Sequence, residues 1–369
     1  MKVSLYDALA QFGRLLQQRL FPALTEEIGP LSGKHQQLIT VLSLVGMEGH
    51  LDGKNGGRGR PSQDRLAFAR AFVAKAVFNL PTTNLLIQLL GSDGSLRRIC
   101  GWESAAQVPK KSNFSRAFKE FAESGLPQRV HEALIEKTQK DRLIGHISRD
   151  ATAIAARERV VKTEPVVLAA KAVQPKPRRK RGEPKRPEEM TRIERQQKMT
   201  LEEMLADLPR DCAVGCKTNS HGRKETWRGY KLHLDVADGQ IPISAVLTAA
   251  SLHDSQVAMP LMKMTAKRVT NLYDLEDSAY DCQALRIESQ ALGHVPIIER
   301  LERGKGLVPM APHEKQRYKE RTNVERVNSR IKDEFGGRYV RVRGHAKVMA
   351  HLMFGVLVLT VDQVLRLKT

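Results

Sequence analysis

The stretch YKERTNVERVNSRIK, residues 318 to 332, puts a tyrosine, two cations and a carboxylate at helical spacings. An α-helix turns about 100° per residue, so relative to Tyr318 the side chains of Arg321, Glu325 and Lys332 fall at about 300°, 340° and 320°. All four share one narrow stripe. Val324, Val327 and Ile331 fall near the opposite side, which a helix buries. An ordinary i,i+4 pair would account for Arg321 with Glu325 on a solvated face, but not for a tyrosine on the same line. Two more carboxylates stand out far upstream, Asp150 in LIGHISRDATAI and Asp277 in NLYDLEDSAYD. Carboxylates brought together repel unless a cation sits between them. Oxygen-only ligands suit Mg²⁺, which keeps waters and substrate phosphates in its remaining positions. Two such ions about 3.5–4 Å apart can clamp the attacking and leaving oxygens of a phosphoryl transfer.

The elements that must position these residues follow from local pattern. The apolar run Leu143–Ile147 leads into Asp150 and predicts a strand delivering a carboxylate at its C-terminal end, where open α/β sheets place their chemistry. TWRGYKLHLDV and IPISAVLTAA read as alternating strands around ADGQ, and Asp-Gly between such runs signals a hairpin. SLHDSQVAMPLMKMTAKRV predicts a helix, NLYDLEDSAYD a strand ending at Asp277, and SQALGHVPIIER a helix, a glycine stop and a further short strand. The order from Leu143 is strand, linker, two antiparallel strands, helix, strand, helix, strand, helix, which is the element order of the ribonuclease H-like fold: a mixed sheet flanked by helices.

Residues 1–140 read as helical. DRLAFARAFVAKAVFNL has apolar residues at helical spacing, and PTTNLLIQLLG starts anew after Pro81. PKKSNFSRAFKEFAESG offers Ser112 as N-cap and Gly125 as stop. Lys110, Lys111, Ser115 and Arg116 cluster at its start, which suits either an ordinary surface helix or a helix N-terminus aimed at phosphates, as in helix-turn-helix modules.

The 369 residues carry a formal charge of +20 and are 41% hydrophobic. Two or three domains fit that length. The charge points to a polyanionic partner, with nucleic acid favoured over an anionic membrane because no basic anchor helix or lipidation motif is evident. KAVQPKPRRKRGEPKRP, residues 171 to 187, holds eight Lys/Arg, one Glu and four Pro. Such a segment cannot bury a core and is expected to be extended or disordered. Its Lys176, Arg178, Arg179, Lys180 and Arg181 suit a linker that tracks DNA. The opening residues form an amphipathic pattern without a small-residue cleavage site, and HLMFGVLVLTVDQVL is too short a run for a span, so the expectation is a cytoplasmic protein without a membrane partner. Cys212 and Cys216, with His221 nearby, have a spacing open to zinc, but reduced structural thiols fit better.

With the carboxylates and the stripe in place, the chain resembles the DDE transposases of bacterial insertion sequences. It is similar in particular to the subgroup with the signature Y-x2-R-x3-E-x6-K, matched by Tyr318, Arg321, Glu325 and Lys332. SRDATAI and EDSAYD resemble the family's two aspartate segments, although Ala279 stands where members often have glycine. WRGYKLHLDV and TAASLHDS resemble the stretches between, and GRPSQDRLAFARAFVAKAVFNLPTTNLLIQLL resembles the helical N-terminal domain. The resemblance implies a helical N-terminal transposase and DNA-binding domain at 1–140 and a ribonuclease H-like catalytic domain at 141–369, interrupted by a basic insertion at about 165–200. It implies that Asp150, Asp277 and Glu325 are catalytic and bind two Mg²⁺ ions, with Mn²⁺ as a substitute. Tyr318, Arg321 and Lys332 would contact transposon-end DNA. It further implies endonucleolytic cleavage at the ends, strand transfer into target DNA, and a homodimer holding two ends. A nuclease of the same fold without strand transfer, or a silent DNA-binding relative, is the alternative. Asp281, His253 and Asp254 read as helix-start residues, and Trp227 and Tyr230 as strand packing.

Overall fold

A computed structural model describes residues 31–51, 64–160, 190–218, 222–300 and 309–367. The helical part begins with α1 (Gly33–Val45), α2 (Arg65–Val77), α3 (Thr83–Ser92) and α4 (Gly94–Cys100). Ser32, Asp64, Thr82 and Asp93 each accept a hydrogen bond from a first-turn amide of these helices, which satisfies donors the helix itself leaves open. Next comes α5 (Lys111–Glu123). Its N-cap is Lys110, without a side-chain bond, rather than the expected Ser112. Gly125 stops it as expected: φ is 62°, the left-handed turn that glycine takes without strain. From there α6 (Leu126–Gln139) leads to the sheet.

The sheet is built from β1 (Leu143–Ala155), β2 (Ala213–Thr218), β3 (Lys224–Ala237), β4 (Ile241–Ala249), β5 (Thr270–Glu276) and β6 (Val295–Ile298). Among the described residues it has six strands in the order β2-β3-β1-β5-β6, with β4 also on β3. β1 pairs antiparallel with β3 and parallel with β5, and β5 pairs parallel with β6. The sheet is therefore mixed, and helices flank it, consistent with a DDE or ribonuclease H-like domain. β1 runs past Asp150 to Ala155, so Asp150 is not at a strand end as expected. The reason is that β3 keeps pairing with β1 as far as Ala155↔Gly229 after β5 has stopped. β2 was not anticipated. Its run is short, and at its centre Gly215 lies under the Trp227 ring, 2.3 Å from where a Cβ would stand. β4 does not alternate: every residue is buried, because α9 (Ser255–Arg268) and a late helix described below pack against it from the two faces.

Residues 190–200, expected within the basic insertion, hold α7 (Arg192–Gln196), followed by α8 (Leu201–Asp207). Thr191 with Glu194 and Thr200 with Glu203 form reciprocal caps, a T-x-x-E pattern readable in sequence. Lys176, Arg178, Arg179, Lys180 and Arg181, like most of the insertion, lie outside the described residues. After α10 (Gln283–Ala291) and β6 come α11 (Pro312–Tyr318), α12 (Thr322–Asp333) and α13 (His345–Arg366). One continuous core runs from α1, α2, α5 and α6 across α13 to Leu232 and Leu234 of β3. α13 is long and apolar enough to cross a membrane by composition, yet 94% of its apolar window is buried inside the molecule. That is the environment of a core helix, and no membrane insertion is indicated.

Candidate active site

The parallel ladder between β1 and β5 ends at Ser148↔Leu275. Asp150 stands two residues beyond Ser148, and Asp277 two beyond Leu275. Side chains alternate with period two and parallel partners face the same way, so both aspartates leave the sheet at one level on one face. Asp277 holds a first-turn position: its carboxylate accepts from the Ala279 amide at 2.9 Å, capping a 3₁₀ turn at Ser278–Tyr280. Asp150 accepts from Asn328 Nδ2 of α12 at 3.0 Å.

Each aspartate feels the site. Burial raises the Asp150 carboxyl to about 7; the Ala151 amide bond opposes this, Asp277 and Asp254 add repulsion, and Arg321 offsets part of it. Asp277 is also raised, chiefly by burial, with the Ala279 bond and Arg321 working against it. A carboxyl held partly protonated by burial and by its neighbours' charge marks a place built for a cation. The two aspartates offer oxygen ligands, which suit a hard divalent ion.

The predicted helix over 318–332 is not continuous. It tightens to a 3₁₀ turn at Lys319–Arg321, where the Glu320 carbonyl accepts from Ser148 Oγ of β1 at 3.0 Å. Residues three apart eclipse in such a turn. Arg321 therefore comes to lie over the Tyr318 ring, 5.6 Å from its centroid. Tyr318 donates to Glu299 at 3.4 Å. Val324, Val327 and Ile331 are fully buried, as expected. Lys332 is half-buried, and its ammonium is lowered chiefly by burial, then by Lys217 and Arg338, while Asp150 draws it up.

Glu325 does not join the aspartates here. It accepts from Arg321 at 2.6 Å, with its side chain 49% exposed. Among the described residues no three of His, Cys, Asp and Glu are arranged to hold a metal ion. The structure thus brings together Asp150, Asp277 and Arg321, and places Glu325 behind the arginine. Cys212 is buried and Cys216 exposed, both unpaired, and His221 lies outside the described residues.

Sequence reading did not find Asn328, the direct partner of Asp150; an asparagine midway along an amphipathic helix carries no signal of its own. Nor did it single out Tyr280, fully buried with its hydroxyl unpartnered and raised first by burial and then by Asp254 and Asp150. Asp254 does not cap α9 through its side chain. It pairs with Lys231 at 2.8 Å, and its charge reaches both site aspartates. Asp281 is likewise not the cap of α10, a place taken by Cys282; it pairs with Arg286 at 3.0 Å. On the opposite sheet face, buried Arg149 binds Asp235 at 2.7 Å and also Glu276. Trp227 donates to the Tyr230 carbonyl and Tyr230 is buried, so both pack within the strands.

Residues 210–361 match the family described as Transposase DDE domain, and residues 32–120 match Transposase domain (DUF772). The first match includes Asp277 and Glu325 and begins after Asp150. No curated protein matches the chain, and no solved structure does. One match on the helices, the other on the sheet and late helices, together support a DDE-type transposase.

Proposed function

We propose that this chain cleaves DNA at the ends of an insertion sequence and joins the freed 3′-hydroxyl to target DNA, and that it belongs to the subgroup with the Y-x2-R-x3-E-x6-K signature. The observation that carries this reading is the shared level of Asp150 and Asp277 beyond the β1–β5 ladder, beneath an arginine from the signature helix. Asp150, Asp277 and Glu325 are the residues that would hold Mg²⁺, two ions in all with Mn²⁺ as a substitute. Such ions would supply charge neutralisation at the reacting phosphate.

The chain's own residues prepare that site. Asn328 fixes the Asp150 carboxylate, and the Ala279 amide fixes that of Asp277. Arg321 is the counterion of Glu325 in the resting chain. A DNA phosphate competes for the same guanidinium in a forked geometry, and its arrival frees Glu325 to turn toward the aspartates. Tyr318 backs the arginine, and Lys332 supplies a second cation along the stripe. Lys176, Arg178, Arg179, Lys180 and Arg181 would follow the DNA backbone. A homodimer would hold two ends at once.

The test is single-turnover cleavage in Mg²⁺ of a duplex taken from the sequence flanking the reading frame. Asp150→Asn, Asp277→Asn and Glu325→Gln should each abolish cleavage while DNA binding survives. Near wild-type cleavage by any one of them removes that residue from the catalytic set. Transfer of the cleaved strand to a second duplex separates a transposase from a simple nuclease.

A further inference from the structure

Where β1 ends and its pairing with β3 stops, an open groove of about 1030 Å³ is lined by Arg157, Arg159, Arg228 and Arg343 around Trp227. The four arginines are exposed, and none of their guanidiniums has an ion-pair or hydrogen-bond partner among the described residues. The acidic residue in the same lining, Glu158, is already engaged. Its carboxylate accepts from the Tyr230 hydroxyl at 3.1 Å and from the Gly344 amide at 2.8 Å. Glu158 thus ties the segment after β1 to the loop before α13, which brings Arg343 opposite Arg157 and Arg159. Its single negative charge offsets one of the four arginines and leaves the groove strongly cationic.

The backbone explains why the groove opens here. Ala156 N donates to the Arg228 carbonyl at 2.9 Å, extending the β1–β3 pairing by one step. Gly229 has φ 149°, and a Cβ there would stand 2.2 Å from the Ile154 carbonyl oxygen. Only glycine lets the two strands approach this closely, and past it the chains diverge. The cluster has no apolar core to bury and, beyond Glu158, no carboxylate in its lining. Four unpaired guanidiniums beside one indole face fit a polyanion with planar groups.

We infer that this groove binds the phosphate backbone of DNA leading away from the cleavage site. Ala155 at its edge lies five residues along β1 from Asp150, about 16 Å at the rise of a strand, which matches about five nucleotides at 3.4 Å each. The inference rests on the transposase reading above, because only then does a DNA strand pass Asp150.

The experiment measures binding of a mixed-sequence duplex to the full chain by fluorescence anisotropy across a salt series. In one variant Arg157, Arg159, Arg228 and Arg343 are replaced by Gln. In a charge-matched control Lys34, Lys137, Lys140 and Lys198, exposed and outside the groove, are replaced by Gln. Circular dichroism checks that both fold. The groove variant should bind at least about tenfold more weakly than the control, and its plot of log K against log salt should be shallower by about three to four, at about 0.9 per phosphate contact. DNA should also change the tryptophan emission of the wild type and not that of Trp227→Phe, since the other tryptophan, Trp102, is buried. A groove variant with the control's affinity and slope overturns the groove and leaves the transposase reading standing. A wild type that binds no duplex at all overturns both.

Discussion

Asp150 is the residue whose surroundings ask most of it. Burial, with repulsion from Asp277 and Asp254, holds its carboxyl up at about 7, while the Ala151 amide and Arg321 limit the rise. In an unfolded chain an aspartate titrates near about 3.9. The folded state therefore holds this proton more tightly than the unfolded one. The resulting stability is fully present below about pH 4 and is lost as pH rises through about 7. Asp150→Asn carries no charge at any pH, so without divalent cations it should melt several degrees above wild type at about pH 8 and close to it at about pH 4. Adding Mg²⁺ at the higher pH should raise the wild-type midpoint and leave that of Asp150→Asn nearly unchanged. Coincident melting of the two proteins across this range would mean that Asp150 is not the strained group it is taken for. Stability given up at a charged site is a common cost of function.

At the scale of the element, the segment from Pro312 to Asp333 divides its labour by face. Val324, Val327 and Ile331 are fully buried against the sheet, whereas Arg321, Glu325 and Lys332 keep contact with solvent. Arg321→Ala and Lys332→Ala should fold normally and cleave on the order of a hundredfold more slowly, the loss expected when one preorganised charge is taken from a reacting phosphate. Lys332→Arg should recover only part of the rate, because a planar fork replaces a point charge. Val327→Asp should do the opposite and unfold the chain by burying an unpaired charge. Circular dichroism beside single-turnover rates decides between the two patterns. An Arg321→Ala protein that fails to fold would make the stripe structural. The turn at Lys319–Arg321 belongs to the same division, since it seats Arg321 above the aspartates while Ser148 holds the backbone down.

At the scale of the molecule, helices and sheet share a core. Phe354 of α13 packs near Phe72 of α2 at 5.9 Å and Phe118 of α5 at 6.4 Å, and Lys75 of α2 meets His351 of α13 at 3.4 Å in a buried contact. Burial lowers Lys75 to about 8 and His351 to about 3, so around neutral pH the imidazole is uncharged while the ammonium stays mostly protonated and faces the ring nitrogen. Residues 141–369 expressed alone would expose the apolar face that α13 turns to the N-terminal helices. That fragment should aggregate or lack a cooperative melting transition, and co-expression with residues 1–140 should restore solubility. A soluble fragment with a sharp transition would show that the sheet side holds its own core. The boundary at about 140 separates stretches of different pattern, but the burial runs across it.

Local pattern was enough for much of this protein. Caps, glycine stops, the Asp-Gly turn and the 3.6-residue period act over a few residues, so α2, α5, α9, α10, α12 and the β3–β4 hairpin were legible from the chain. The types and spacings of Asp150, Asp277, Glu325 and the signature stripe were legible for the same reason, together with a charge of +20 that called for a polyanion. What lay beyond reach depends on residues far apart. The common level of Asp150 and Asp277 comes from the register of a parallel ladder joining segments more than a hundred residues apart. Asn328 on Asp150, Arg321 over Tyr318, and the four arginines gathered around Trp227 follow from how distant elements pack. The raised carboxyl of Asp150 is a property of burial, and burial exists only once the chain has closed around it.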